Sequence, residues 1–207
     1  MTTDEIFEQL KHPNPNLRDD AMWDLAEHYS ETPDKAIIER LIAALDDEDV
    51  VYRRCAVKTL GAIGQDSIPY TVDGMLKSDN VTVRGSCAKA LAQVAVMYRD
   101  QPFPQAGLDG LKAAMQDENP VVHIAATMAL GEIGTPAIDI FDEALTATDN
   151  VGLAVSIVNS LGAIKDDRAA VLLQKITDTE TFDPYIREMA NSALSRSDLV
   201  RNYNRQS

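Results

Sequence analysis

Cysteine is scarce in this sequence. Its 207 residues hold two, Cys55 and Cys87, and no CxxC pair. That excludes a disulfide-stapled scaffold and points to a reducing compartment. Aromatic residues make up only 5%, with Trp23 the single tryptophan. So few aromatics beside abundant Ala, Leu, Ile and Val argue against a β-sandwich and for closely packed helices. Basic residues are also outnumbered, 19 Lys and Arg against 33 Asp and Glu, for a formal net charge of −14. A field of that sign repels nucleic acid and anionic membranes, so no nucleic-acid partner is expected. Apolar runs of bilayer-spanning length are missing, and "MTTDEIFEQL" carries no apolar leader, so the reading is a cytoplasmic protein without membrane insertion. His12, His28 and His123 have no zinc-ligand spacing, and no metal is expected. Neither a GxSxG elbow nor a phosphate-binding glycine loop occurs, and no residue is assigned as catalytic.

What is present is a hidden repeat. Aligned on the anchors Arg18, Arg53, Arg84, His123, Ala154 and Arg187, six segments share their columns. Four residues before each anchor stand Asn14, Asp49, Asn80, Asn119, Asn150 and Asp183. Asn and Asp there suit an N-cap, whose side chain accepts from a free N–H of the first turn. Seven residues after each anchor stand Leu25, Leu60, Leu91, Leu130, Leu161 and Leu194. Apolar residues at −1, +3 and +7, such as Tyr52, Ala56 and Leu60, form one helix face. "GAIG" and "GEIG" supply glycine stops, and "KAIIERLIAAL" or "AIDIFDEAL" supplies an amphipathic helix upstream of a cap. The expectation is an all-α fold, an α-solenoid of about six HEAT-like two-helix repeats in a single domain spanning 1–207. The repeats run approximately 4–29, 36–64, 67–96, 106–134, 137–165 and 169–197.

The repeat also sorts residues by role. Arg18, Arg53, Arg84 and Arg187 recur with the period and are expected to be structural; the pattern resembles HEAT repeats, and that resemblance implies a ladder linking neighbouring repeats. Positions +1 and +5 lie roughly 140–180° from the apolar stripe and face away from the core. There the second and third repeats place Arg54, Lys58 and Lys89, a basic island in an acidic chain. The fourth places Ile124 and Met128 where water is expected, and the first places Trp23. These six form the candidate binding face for a ligand or partner. The 39-residue spacing between Arg84 and His123 comes from "MYRDQPFPQAG", where Tyr98, Arg99 and Phe103 make either an exposed contact site or part of a simple longer connection.

The stretches "HPNPNLRDDAMWDLA", "EDVVYRRCAVKTLGAIG", "SDNVTVRGSCAKALAQVA" and "NPVVHIAATMALGEIG" resemble the phycobilisome-lyase HEAT-like family of cyanobacteria and red algae. The similarity extends from about Asp4 to Ser197 and is greatest to the short subunit of E/F-type phycobilin lyases. The resemblance implies a subunit or chaperone that positions a linear tetrapyrrole for thioether attachment to a phycobiliprotein cysteine. It implies no permanently bound cofactor, a transient phycobilin, and two partners: a phycobiliprotein subunit and a longer HEAT-repeat lyase subunit in a heterodimer. The compartment would be the cyanobacterial cytosol or plastid stroma. The alternative, left open by the residues, is a non-catalytic scaffold or adaptor serving phycobilisome disassembly or cofactor-assembly traffic.

Overall fold

The structure, a computed structural model, describes residues 1–206, with side chains described through Arg196. Helices come in antiparallel pairs, and no strand occurs among the described residues. The pairs are α1 (Thr3–Gln9) with α2 (Pro15–Glu31), α3 (Lys35–Ala43) with α4 (Val50–Ile63), and α5 (Ile68–Lys77) with α6 (Val81–Met97). They continue as α7 (Gln105–Ala114) with α8 (Pro120–Ile133), α9 (Ile138–Ala147) with α10 (Val151–Ala163), and α11 (Asp167–Asp178) with α12 (Pro184–Gln206). This is an all-α solenoid of two-helix repeats. The chain forms two compact units, Met1–Ala129 and Leu130–Ser207.

The caps lie where the columns put them. Asn14, Asp49 and Asn80 accept from the N–H two residues on, at the starts of α2, α4 and α6. Asn119, Asn150 and Asp183 do the same work for α8, α10 and α12. Each cap satisfies one orphan donor of a helix start. Inside the first unit the core is Leu25, Ala56, Leu60, Cys87 and Leu91, none more than fractionally exposed. In the second it is Leu161, Ile157, Ala190 and Ala193. Leu17 and Leu194 are only half-buried, because a terminal repeat has one neighbour instead of two.

The arginine column needs a correction. Arg18 donates to the carbonyls of His12 and Pro13, at 2.6 and 2.9 Å. Arg53 donates to those of Asp47 and Glu48, at 2.5 and 3.2 Å. Arg187 donates to Thr177 O at 3.0 Å. These arginines staple the turn inside their own repeat. Arg84 also bonds a neighbouring repeat, through Asp117, and Arg18 also reaches Cys55 of the next repeat. Another cross-repeat bond comes from the cap column, Asn80 donating to Asp46.

The exposed reading of the inserted loop is also corrected. The Tyr98 hydroxyl donates to the Ala62 carbonyl and its ring lies over Gly64, while the Phe103 ring lies against Gly107. Both aromatics are half-buried and fasten the loop to its own unit; Arg99 is exposed.

Gly64 and Gly134 end α4 and α8 with φ of 84° and 86°, a region that only glycine enters without strain. A Cβ at Gly134 would meet nothing within 4 Å, whereas at Gly64 it would stand 2.8 Å from the Tyr98 ring. Gly134→Ala is therefore expected to cost about 2 kcal/mol from backbone strain alone, and Gly64→Ala about 3 kcal/mol or more. Urea denaturation of the two variants measures the difference; equal losses would show that Tyr98 yields freely.

Candidate cationic cleft

Between α4 and α6 the first unit opens a cleft of about 640 Å³. Its geometry follows from the repeat. Residue 54 stands one position after its anchor, so its side chain leaves the core; residue 58 lies one turn further along α4. Lys89 occupies the corresponding place on α6. Arg54, Lys58 and Lys89 all line the cleft, joined by Arg53. No acidic side chain is among the lining residues. In a chain of net charge −14 this makes a local positive focus.

The cations are not equivalent. The Lys58 ammonium donates to Asp19 of α2 at 3.2 Å, and both side chains are about half-exposed. Such a pair is worth well under about 1 kcal/mol, so an incoming carboxylate can displace it. Arg53 keeps its charge but spends its Nη1 donor on turn carbonyls. Arg54 and Lys89 have no ion pair among the described residues. They are the two cations ready to meet an anion.

The cleft is apolar between its charges. Val57 of α4, Val81 of α6 and Val121 of α8 line it, and Gly85 is part of its α6 wall. Without a side chain, Gly85 lets Val121 approach closely, its Cγ1 standing 3.4 Å from where a Cβ would be. The arrangement fits a flat, apolar body bearing carboxylates.

The remaining candidates fall elsewhere. Trp23 (54% exposed), Ile124 (39%) and Met128 (62%) are exposed as their columns require, but none lines the cleft. The structure thus brings together three of the six candidates. The periodicity missed Val57, Val81, Gly85 and Val121, because a space between helices is bounded by flanks as well as by outward faces. One signal was readable: glycine at the +1 column of the third repeat, where its neighbours carry Arg54 and Ile124.

The nearby thiol is inert. Cys55 is buried beneath this face, and burial pushes its thiol up in pKa, against the smaller downward pull of Arg18 and Lys58. Cys87, wholly enclosed, is pushed up to about 12 by burial. His123 fills its arginine slot as a buried side chain near Asp117. Among the described residues no three His, Cys, Asp or Glu side chains group as a metal site. No helix among them is long and apolar enough to cross a membrane.

Three comparisons bear on this arrangement. The family model for HEAT repeats matches residues 3–92, 68–158 and 108–195. The "uncharacterized phycocyanin operon protein Z" of Pseudanabaena tenuis (strain PCC 7409) is 51% identical over 205 residues, 99% of this chain and 100% of that protein. The "bilin biosynthesis protein CpeZ" of Synechococcus sp. (strain WH8020) is 33% identical over 183 residues, 86% of this chain and 96% of that one. Among solved structures, the complex of CpcE and CpcF of phycocyanin lyase from Nostoc sp. PCC7120 matches with a TM-score of 0.50 and 18% identity. The match covers 76% of this chain and 96% of that chain, and it is a likeness of fold.

Proposed function

The chain belongs to the phycobilin-lyase HEAT-repeat family, and from that premise we propose that it is a subunit or chaperone of an E/F-type phycobilin lyase. It positions a linear tetrapyrrole for thioether attachment to a phycobiliprotein cysteine and works beside a longer HEAT-repeat lyase subunit. The observation that carries this reading is the cationic cleft, with Arg54, Lys58 and Lys89 around an apolar middle.

The chemistry asks little of covalent catalysis. The acceptor cysteine belongs to the phycobiliprotein. Its sulfur adds across the ethylidene double bond of the bilin, forming one C–S bond, and the adjacent ring carbon takes a proton; no oxidant or reductant is consumed. What limits such an addition is holding the double bond against the thiol in one orientation. Arg54 and Lys89 hold the two propionates from opposite walls. Val57, Val81 and Val121 cover ring surface and keep water off it.

Absorbance titration of a phycobilin into the wild type and an Arg54→Ala, Lys89→Ala variant tests the reading. Losing two charge-assisted contacts is expected to weaken binding by about tenfold to a hundredfold, at roughly 1.4 kcal/mol per tenfold. Unchanged affinity overturns the assignment of the site. Co-expression with an apo-phycobiliprotein, the bilin and a long partner subunit then tests attachment itself.

A further inference from the structure

The anchor that is arginine in four repeats is Ala154 in the fifth. In three of those four the arginine has one job in common. Arg18, Arg53 and Arg84 each reach back to the carbonyls six and five residues earlier, those of His12 and Pro13, Asp47 and Glu48, and Ser78 and Asp79. Arg187 departs from the pattern and bonds Thr177 O instead. Six and five residues before Ala154 stand Thr148 and Asp149. Among the described residues no donor reaches either of their carbonyls.

Both residues line a cleft of about 680 Å³ inside the second unit. It lies between the turn joining α9 to α10 and the turn joining α11 to α12, with Ala154 in its wall. Asp149 and Asp183 bring carboxylates to it. Asp183 uses one oxygen to cap α12, and Asp149 is exposed with no partner among the described residues. The single cation of the lining, Lys175, is neutralised by Asp142 at 2.8 and 3.2 Å. The cleft therefore holds the two residues whose counterparts in three other repeats give their carbonyls to a guanidinium, beside uncompensated carboxylates.

We infer that this cleft receives the guanidinium of an arginine side chain presented by a partner protein. A planar fork of N–H donors matches two adjacent carbonyls and a carboxylate, whereas an ammonium makes a point contact. Ala154 has no donor, and Arg187, whose Nε donates to Thr177 O, makes no bond to these carbonyls among the described residues, so the occupant is taken from a partner. The inference stands apart from the bilin reading: it concerns the other unit and opposite charge.

The test is an amide-detected NMR titration of the full chain with N-acetyl-L-argininamide. Shifts are expected at Thr148–Val151 and Thr181–Asp183, with affinity at least about fivefold above that of capped lysine, from the bidentate geometry. Capped lysine acting equally on those amides would overturn the proposal, and so would their silence. Free L-arginine is expected to bind more weakly, its carboxylate repelled by Asp149 and Asp183. If it bound as tightly as the capped form, the site would serve the amino acid and the partner assignment would fall. Ala154→Arg is expected to abolish the response and to melt above Ala154→Met, which fills similar space without donors. Equal melting of the two, or a persisting response in Ala154→Arg, refutes the shared slot. Tighter probe binding in an Arg201→Ala, Arg205→Ala variant would make the chain's own terminus the occupant.

Discussion

Replacing Arg84 by methionine is expected to destabilise the first unit by about 2 kcal/mol at neutral pH, from breaking a partly buried, doubly hydrogen-bonded ion pair from one side. Arg84 Nε and Nη2 donate to the two Asp117 oxygens at 2.8 and 3.1 Å. Its Nη1 also serves the Ser78 carbonyl at 3.0 Å. The pair is 17% and 14% exposed, so solvent screens it less than any other cross-repeat ion pair described here. Methionine keeps the aliphatic stem, so the loss isolates the charge and its hydrogen bonds. Asp117 would remain with the Asn119 N–H at 2.8 Å and little else.

The pH dependence of that loss has a definite sign. Hydrogen bonding from Arg84 holds the Asp117 carboxyl below the usual carboxylate range, against the upward push of burial. A group with a depressed pKa in the folded state stabilises fully above its unfolded pKa, about 4. That contribution fades as pH falls through the folded value. The gap between wild type and Arg84→Met should therefore be widest at neutral pH and narrow below about pH 4. Urea midpoints at pH 7 and pH 3 measure it. Coincident curves at pH 7 would mean that Asp117 finds another donor at no cost.

Arg84 also shows where sequence reasoning stops. Its place in the period was legible, because a cap four residues before and a leucine seven after fix the helix register. Its target was not. A staple to carbonyls within one turn and a ladder to the next repeat demand the same residue at the same position, and only the turn's path separates them. Tyr98 and Phe103 failed similarly: a loop's composition suggests exposure, but the niches that bury these rings are made by Gly64 and Gly107. The cap column and the glycine stops were readable because they act on backbone within a few residues. The cleft was half readable. Outward-facing columns gave Arg54, Lys58 and Lys89, while Trp23, Ile124 and Met128 in the same columns lie outside it. Column position fixes direction from the helix axis, not which neighbouring helix closes a space.

Gly85→Leu should separate binding from folding more sharply than any charge change. Glycine inside α6 gives up about 1 kcal/mol of helix stability relative to a side-chain-bearing residue. A Cβ there would meet only Val121 Cγ1, at 3.4 Å, and the Val121 carbonyl oxygen at 3.9 Å, both ordinary contacts. Gly85 is buried in the α6 wall, the wall that also carries Lys89, so a leucine side chain that clears Val121 takes up cleft space opposite Arg54 and Lys58. The thermal midpoint is therefore expected to hold or rise. A tetrapyrrole bridging the two walls must cross this point, so its affinity is expected to fall by about a hundredfold, the loss of most ring contact at roughly 25 cal/mol per Å². The cations are untouched, so a small carboxylate should still bind the variant as it binds the wild type. Absorbance titration and a melt on the same sample read both quantities. Bilin binding that survives leucine would place the ligand off the floor of the cleft. A collapsed melting temperature would mean instead that α6 and α8 approach more closely at Gly85 than the contact to Val121 allows. In the proposed reading the charged rim attracts the carboxylates, and the missing side chain at residue 85 leaves room for the ring system between them.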